Sequence, residues 1–150
     1  MRIRTFHVFD ASAATVWALL ADFGAIERWW PTEGPLLIER VDIEGEGIGM
    51  VRHITNRGVV GAVSERLDRL DSAQRLLQLS ILGPPPTRTA WYQATGRLVE
   101  LEDGGCRLDY ESEFTAPRGR ENQVRDGILA AYRAMFKGLQ SSADVARARA

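Results

Sequence analysis

The sequence predicts an α+β fold in which a curved antiparallel sheet of seven strands grips one long C-terminal helix. A series of β-prone segments separated by glycine-containing turns runs from residue 36 to residue 115, and strands joined by short turns pair antiparallel. Apolar residues then recur at helical spacing from about 121 to 146, and an amphipathic helix must bury its apolar face against the sheet. The length of 150 residues fits one domain over 1–150.

The N-terminal segment predicts one strand followed by two short helices. Residues 2–9 are typical of a strand. Ser12 is a suitable N-cap for a helix over 13–22, because its hydroxyl can accept a hydrogen bond from an unpaired amide of the first turn. A second helical turn over 25–30 should end before Pro31, since proline disfavours helical geometry in the residue that precedes it.

Six further strands are predicted in the middle of the chain. Their expected ranges are 36–43, 49–55, 59–70, 74–82, 91–101 and 106–115. Turn residues separate them, namely Gly45-Glu46-Gly47, Asn56-Arg57-Gly58, Gly83-Pro84-Pro85-Pro86 and Glu102-Asp103-Gly104-Gly105. The apolar stripe of the final helix comprises Val124, Ile128, Ala131, Tyr132, Met135, Phe136 and Leu139.

Composition excludes several classes of function. With 19 basic and 20 acidic residues, the net charge of −1 argues against a nucleic-acid partner. Cys106 is the one cysteine, and with His7 and His53 it does not supply the ligands of a structural zinc site. No apolar run reaches the ~20 residues that cross a bilayer, and the N-terminus lacks a signal-peptide core. We expect a cytoplasmic monomer or homodimer without cofactor, metal or integral membrane contact.

Short motifs along the chain, taken in order, resemble one superfamily. They are Ala11-Ser12-Ala13-Ala14-Thr15-Val16-Trp17, Trp29-Trp30-Pro31, Gly49-Met50-Val51-Arg52, Ser64-Glu65-Arg66-Leu67-Asp68 and Tyr110-Glu111-Ser112-Glu113-Phe114 with Pro117. This order and spacing resemble the START-like (SRPBCC) superfamily, which includes polyketide cyclase/dehydrase-like proteins, birch-pollen-allergen relatives and plant abscisic acid receptors. The resemblance implies a helix-grip fold with a cavity between sheet and long helix. It does not choose an activity, because members bind, transport, sense or catalyse.

Within the superfamily, the similarity to the abscisic acid receptors is closest around 64–71 and 79–82. The receptors' inward residues match Glu65, Leu79, Ile81 and Tyr92. The receptors' longer gate loop is not reproduced, because only a tight turn at 56–58 is available between the two strands that flank it. This departure argues against a hormone-type gate.

Side-chain alternation along the strands predicts which residues face the interior. Four charged residues alternate through the last strand and must face solvent, so its other residues, Cys106, Leu108, Tyr110, Ser112 and Phe114, face inward. Arg97 should face outward, which turns Tyr92, Ala94, Gly96 and Leu98 inward. Glu65 shares a face with Val63 and Leu67. An acidic residue is therefore expected on an apolar face.

Glu65 is the most informative of these residues. A lone carboxylate in an apolar cavity is costly, so it pairs, binds water or takes up a proton. Arg52 on the neighbouring strand is the expected partner, and together they could orient the polar group of an apolar ligand. The alternative is that Glu65 lies at the rim of the cavity and only bridges two strands.

The predicted ligand-binding set extends this pair along the inner surface. It comprises Trp30, Arg52, Glu65, Leu79, Ile81, Tyr92, Ala94, Tyr110, Ser112, Phe114, Ile128, Ala131 and Met135. The tyrosine hydroxyls either bind a ligand or only pack in the core. Trp29-Trp30-Pro31 forms either the cavity entrance or a structural plug. Gly127 marks either a close approach to a ligand or a tight helix–sheet contact. His53 should face outward, whereas the facing of His7 is open.

Three functions fit these residues. The first is binding of a small hydrophobic molecule, such as a lipid, polyketide or terpenoid-like compound. The second is a cofactor-independent polyketide cyclase, aromatase or dehydratase, with Glu65 as acid or base tuned by Arg52, and with Tyr92 or Tyr110 hydrogen-bonded to an enolate oxygen. The third is a regulatory subunit that docks a partner protein.

Overall fold

Ten helices and strands make up the fold in residues 1–83 and 91–149, the part of the chain that the computed structural model describes. In chain order they are β1 (Arg2–Phe9), α1 (Ala13–Ala21), a 3₁₀ helix (Phe23–Arg28), β2 (Ile38–Glu44), β3 (Val51–Asn56), β4 (Ala62–Asp71), β5 (Leu76–Leu82), β6 (Tyr92–Glu100), β7 (Cys106–Phe114) and α2 (Glu121–Ala148). The predicted Gly83-to-Pro86 turn lies outside the described residues except for Gly83.

The seven strands form one antiparallel sheet in the order β1-β7-β6-β5-β4-β3-β2. From β2 to β7, each strand pairs with the next one in the chain. Strand β1 pairs with β7 and forms the opposite edge of the sheet from β2, with Ile3 opposite Ser112. The sheet and α2 enclose one core between them. The predicted fold class is confirmed.

The N-terminal helices follow the predicted signals only in part. The Ser12 hydroxyl accepts a hydrogen bond from the amide of Thr15 at 3.2 Å, which confirms the N-cap of α1. The second helix is a 3₁₀ helix over Phe23–Arg28 and not a turn over 25–30. The backbone of Ala25 leaves helical geometry, with φ −102° and ψ 29°, so a regular α-helical hydrogen-bond ladder does not form there.

The loops on either side of β3 are longer than predicted. Gly49 has φ +92°, a conformation that favours glycine, so the first hairpin turn extends past Gly47 and β3 begins at Val51. Gly61 has φ +88° and delays the start of β4 to Ala62. Residues 57–61 therefore form a loop where a tight turn at 56–58 was expected.

Close packing of α2 depends on Gly138. A Cβ at this position would lie 2.8 Å from Cδ of Pro31 and would collide with the carbonyl oxygen of Trp29. At Gly127, which sequence reasoning singled out as a point of close approach, a Cβ would meet nothing within 4 Å. The helix therefore contacts the segment after the 3₁₀ helix at Gly138 and leaves open space beside Gly127. None of the helices in the described ranges is long and apolar enough to span a membrane.

Candidate functional site

A cavity of about 480 Å³ lies between the sheet and α2. The segment from the 3₁₀ helix to β2 contributes Ile26, Trp29, Trp30, Leu36 and Ile38 to its wall. Strands β3 to β7 and the loop before β4 contribute Arg52, Ile54, Asn56, Val59, Val63, Glu65, Ile81, Tyr92 and Tyr110. Helix α2 contributes Gln123, Val124, Gly127, Ile128, Ala131, Tyr132 and Met135. The wall is mostly apolar, with a few polar groups.

The structure brings nine of the predicted ligand-binding residues to this wall. They are Trp30, Arg52, Glu65, Ile81, Tyr92, Tyr110, Ile128, Ala131 and Met135. The other four, Leu79, Ala94, Ser112 and Phe114, are buried in the packed core and do not line the cavity. Alternation predicted their inward direction, but the cavity covers only part of the inner face. Leu79, Ala94 and Ser112 form one row across β5, β6 and β7 in that packed part.

Arg52 and Glu65 lie directly opposite each other on β3 and β4. The Arg52 Nε donates to Glu65 Oε1 at 3.0 Å, and the two side chains are only 8% and 14% exposed. Arg52 Nη1 donates to the carbonyl oxygen of Phe23 at 2.9 Å, and the guanidinium carbon lies 3.9 Å from the centre of the Phe23 ring. The expected pair is present, bridges two strands and also lines the cavity.

Two polar atoms of this pair keep hydrogen-bonding capacity. Within residues 1–83 and 91–149, Glu65 Oε2 accepts no hydrogen bond and Arg52 Nη2 donates none. Because both residues line the cavity, they offer one acceptor and one donor to an occupant.

Three tyrosines, all that the chain contains, line the cavity beside this pair. The hydroxyls of Tyr92 and Tyr132 are hydrogen-bonded at 2.5 Å. The rings of Tyr110 and Tyr132 pack edge to face, with centroids 4.9 Å apart and planes at 74°. Gly96 makes room for Tyr110, because a Cβ there would lie 3.1 Å from its ring. The cluster thus joins β6 and β7 to α2.

Sequence reasoning did not identify Tyr132 as a site residue. It lies four residues after Ile128 and was assigned to the apolar stripe of the helix. Its place one turn from Ile128 on the helix face that also carries Met135 was the available signal. The partner hydroxyl of Tyr92 is 40 positions away in the chain, so local spacing could not show the hydrogen bond.

Burial keeps these phenols protonated. Desolvation raises the pKa of Tyr92 and of Tyr110 well above the ordinary value, and the charge of Glu65 acts in the same direction. Burial also raises the pKa of Tyr132 to about 12. All three hydroxyls are therefore neutral hydrogen-bonding groups near pH 7, and none serves as a base in its resting state.

The two histidines and the cysteine lie away from the cavity. His53 faces the other side of β3, as expected, and contacts Ser64 at 2.7 Å and Glu44 at 3.1 Å. His7 stacks on Phe136 and contacts Gln140. Cys106 is buried, which raises the pKa of its thiol to about 11. Within the described ranges, no three His, Cys, Asp or Glu side chains are grouped to hold a metal ion.

Trp29 and Trp30 hold the segment before β2 in place and also line the cavity. Trp29 is buried, and its carbonyl meets α2 at Gly138. Trp30 is half-buried, and its Nε1 donates to the carbonyl oxygen of Leu36 at 2.9 Å. Both rings line the cavity. Trp29 therefore holds the segment after the 3₁₀ helix against α2, and Trp30 forms part of the cavity wall next to the start of β2.

Comparison with known proteins agrees with this architecture. A family model described as polyketide cyclase / dehydrase and lipid transport matches residues 1–144. No curated protein matches the chain. Among solved structures, XoxI from Bacillus cereus is 22% identical over 94% of both chains, with a TM-score of 0.79. Norcoclaurine synthase from Thalictrum flavum, in complex with dopamine and hydroxybenzaldehyde, is 19% identical over 94% of this chain and 84% of that chain, with a TM-score of 0.75. At these identities the likeness shows the fold alone.

Proposed function

Because the chain belongs to the polyketide cyclase/dehydrase and lipid transport family, whose model covers residues 1–144, we propose that it binds a small, mostly apolar molecule between the sheet and α2. The membership confirms the START-like resemblance seen in the sequence. One observation carries the proposal. The cavity of about 480 Å³ has an apolar wall on which a few polar groups converge, and this is the usual composition of a small-molecule site.

The apolar and the polar parts of the cavity wall would each hold a different part of a ligand. An apolar body would lie against Ile54, Val63, Ile81, Ile128 and Met135, which come from both the sheet and α2. Each Å² of apolar surface removed from water contributes about 25 cal/mol. A polar end would lie at Arg52 and Glu65, where one acceptor and one donor keep hydrogen-bonding capacity. The apolar body would supply most of the affinity and the polar end the orientation.

Native mass spectrometry on freshly purified protein tests the proposal, because it detects any retained ligand by its mass. We expect a reproducible adduct or, from protein stripped of lipids, saturable binding of the uncharged dye Nile red. The control is Gly127→Phe, which places a ring in the open space beside the helix, against Gly127→Ala, which adds one methyl group. Loss of the adduct and of dye binding in Gly127→Phe, but not in Gly127→Ala, supports the cavity as the binding site. A clean apo mass together with no dye binding contradicts the proposal.

A second candidate is cofactor-independent catalysis, as a cyclase, aromatase or dehydratase. The observation that favours it is a carboxylate oxygen of Glu65 without a protein partner in the described chain, in a cavity that also holds protonated tyrosine hydroxyls. Glu65 would remove a proton from the carbon next to a ketone, and a hydroxyl of Tyr92 or Tyr110 would hydrogen-bond the enolate oxygen. In a dehydration, the proton held by Glu65 would leave with the β-hydroxyl group as water.

Turnover of β-hydroxyketones, followed by the absorbance of the enone product, separates the two functions. A catalyst should lose turnover in Glu65→Gln while it still binds Nile red. The matched control is Glu44→Gln, which changes a carboxylate on the outer face beside His53. Equal rates in the wild type and in Glu65→Gln would remove Glu65 from any mechanism. Turnover in the wild type no faster than the uncatalysed reaction would leave binding as the function.

A further inference from the structure

We infer that the cavity selects ligands whose polar end is uncharged, a hydroxyl or a ketone, over carboxylates and amines of the same shape. This inference rests on the proposed binding function and names its ligand class. The observation behind it is the charge balance of the wall. Among its described residues only Arg52 and Glu65 carry charge, and they neutralise each other across 3.0 Å.

A charged ligand would meet no free counter-ion at this end of the cavity, as far as the described residues form it. Moving an ionised group from water into an apolar site is costly unless an opposite charge compensates it. The guanidinium of Arg52 already has the Glu65 carboxylate, the Phe23 carbonyl and the Phe23 ring as partners. A ligand carboxylate at Arg52 Nη2 would lie beside the Glu65 carboxylate. A ligand ammonium at Glu65 Oε2 would lie beside the guanidinium.

An uncharged polar group can form hydrogen bonds with this pair and needs no counter-ion. A ligand hydroxyl can donate to Glu65 Oε2 and accept from Arg52 Nη2, the two atoms without partners in the described chain. A ketone can accept from Nη2 or from a tyrosine hydroxyl. Of the two protons on Tyr92 and Tyr132, one lies in their mutual hydrogen bond, and the other can donate to a ligand ketone or to the neighbouring Ser112 hydroxyl. Neutral polar ends can therefore be satisfied without an uncompensated charge.

Decanol, decanoate and decylammonium test the inference, because they share one chain and differ in the polar end. Each is titrated against Nile red on the wild-type protein at neutral pH. We expect decanol to bind roughly tenfold or more tightly than either ion, which is a difference of one decade in Kd. Equal or tighter binding of decanoate or decylammonium overturns the inference and leaves the proposed function intact. If neither Nile red nor any of the three binds, both fail.

Two variants separate charge matching from the simple preference of apolar sites for alcohols. Glu65→Gln leaves Arg52 without its counter-charge, so the affinity for decanoate relative to decanol should rise by about a decade. Arg52→Gln should do the same for decylammonium. An unchanged ranking in both variants, with circular dichroism showing folded protein, overturns the inference.

Two further variants complete the test. The double variant Arg52→Gln/Glu65→Gln restores neutrality, avoids a lone buried charge and should rank the three ligands as the wild type does. Arg88 is the one basic residue in segment 84–90, which lies outside the described residues. Arg88→Gln should leave the ranking unchanged, and a changed ranking would transfer the selectivity to Arg88 and overturn its assignment to the Arg52–Glu65 pair.

Discussion

The hydroxyl oxygens of Tyr92 and Tyr132 lie 2.5 Å apart and connect the sheet to the long helix beside the cavity that both residues line. Tyr92 stands on β6 and Tyr132 on α2, and both side chains are buried. A hydrogen bond between two neutral buried groups contributes about 1 kcal/mol, and loss of one partner leaves the other unsatisfied. This bond therefore fixes the helix over the cavity at a point where the wall also offers polar groups to a ligand.

Removal of either hydroxyl should destabilise the fold by about 1–3 kcal/mol. We expect this for Tyr92→Phe and for Tyr132→Phe, measured as the free energy of unfolding in urea. The double variant should cost less than the sum of the two, because the second substitution removes a group that has already lost its partner. Strict additivity within about 0.3 kcal/mol would show that the two hydroxyls do not interact.

Alkaline pH should destabilise the protein through the same tyrosines. Their pKa values are raised in the folded state, so the folded protein holds protons that the unfolded chain releases above about pH 10. The contribution of these tyrosines to stability is complete below about pH 10 and falls as the pH rises toward about 12, by at most about 1.4 kcal/mol per pH unit for each tyrosine. Urea unfolding across this range, with tyrosinate absorbance, measures the loss.

The Cys106 thiol also contributes to the loss of stability at alkaline pH, and substitution removes its contribution. Burial raises the pKa of the Cys106 thiol from 9.0 to about 11, so it also destabilises the fold as the pH rises. The comparison is therefore made in Cys106→Ala. In that background, Tyr132→Phe should show a shallower loss than its parent between about pH 10 and about pH 12. A slope identical to that of the parent would mean that Tyr132 ionises as freely in the folded chain as in the unfolded one.

Strand residues of the site could be predicted from the sequence, because their facing depends on a local period of two. Alternation was sufficient to turn Glu65, Tyr92 and Tyr110 inward, and the structure places all three at the cavity. Alternation does not predict whether an inward residue lines the cavity or lies in the packed core. Ala94 and Ser112 also face inward, yet they are buried in the core, because the extent of the cavity depends on where α2 crosses the sheet and not on the strand itself.

Two glycines on α2 should respond in opposite ways to the same substitution. Gly127→Ala adds a methyl group in open space and replaces a poor helix former, so we expect it to stabilise the protein by about 1 kcal/mol. Gly138→Ala forces the helix away from Trp29 and Pro31, and overpacking of this kind costs about 1–3 kcal/mol. Thermal unfolding measures both. Stabilisation by Gly138→Ala would contradict the contact with Trp29.

Loss of one partner of the Arg52–Glu65 pair should destabilise the fold more than replacement of both partners by apolar residues. Arg52→Met leaves the Glu65 carboxylate, 14% exposed, without its counter-charge. Breaking a buried pair costs about 3–5 kcal/mol, and access of water through the cavity should bring the value toward the lower end. The double variant Arg52→Met/Glu65→Met removes both charges and should recover much of that loss, because apolar side chains of similar volume often replace a buried pair without penalty.

Urea unfolding of the two variants and of Arg66→Met measures this difference. Arg66 is the neighbour of Glu65 on the outer face, is half-exposed and pairs with Asp68. Asp68 keeps its hydrogen bond from Ser80 when Arg66 is removed, so we expect Arg66→Met to cost at most about 1 kcal/mol. The expected order of stability is therefore wild type and Arg66→Met first, the double variant next and Arg52→Met last. A double variant no more stable than Arg52→Met would mean that the lost contacts of Arg52 with Phe23, and not the unpaired charge of Glu65, account for the cost.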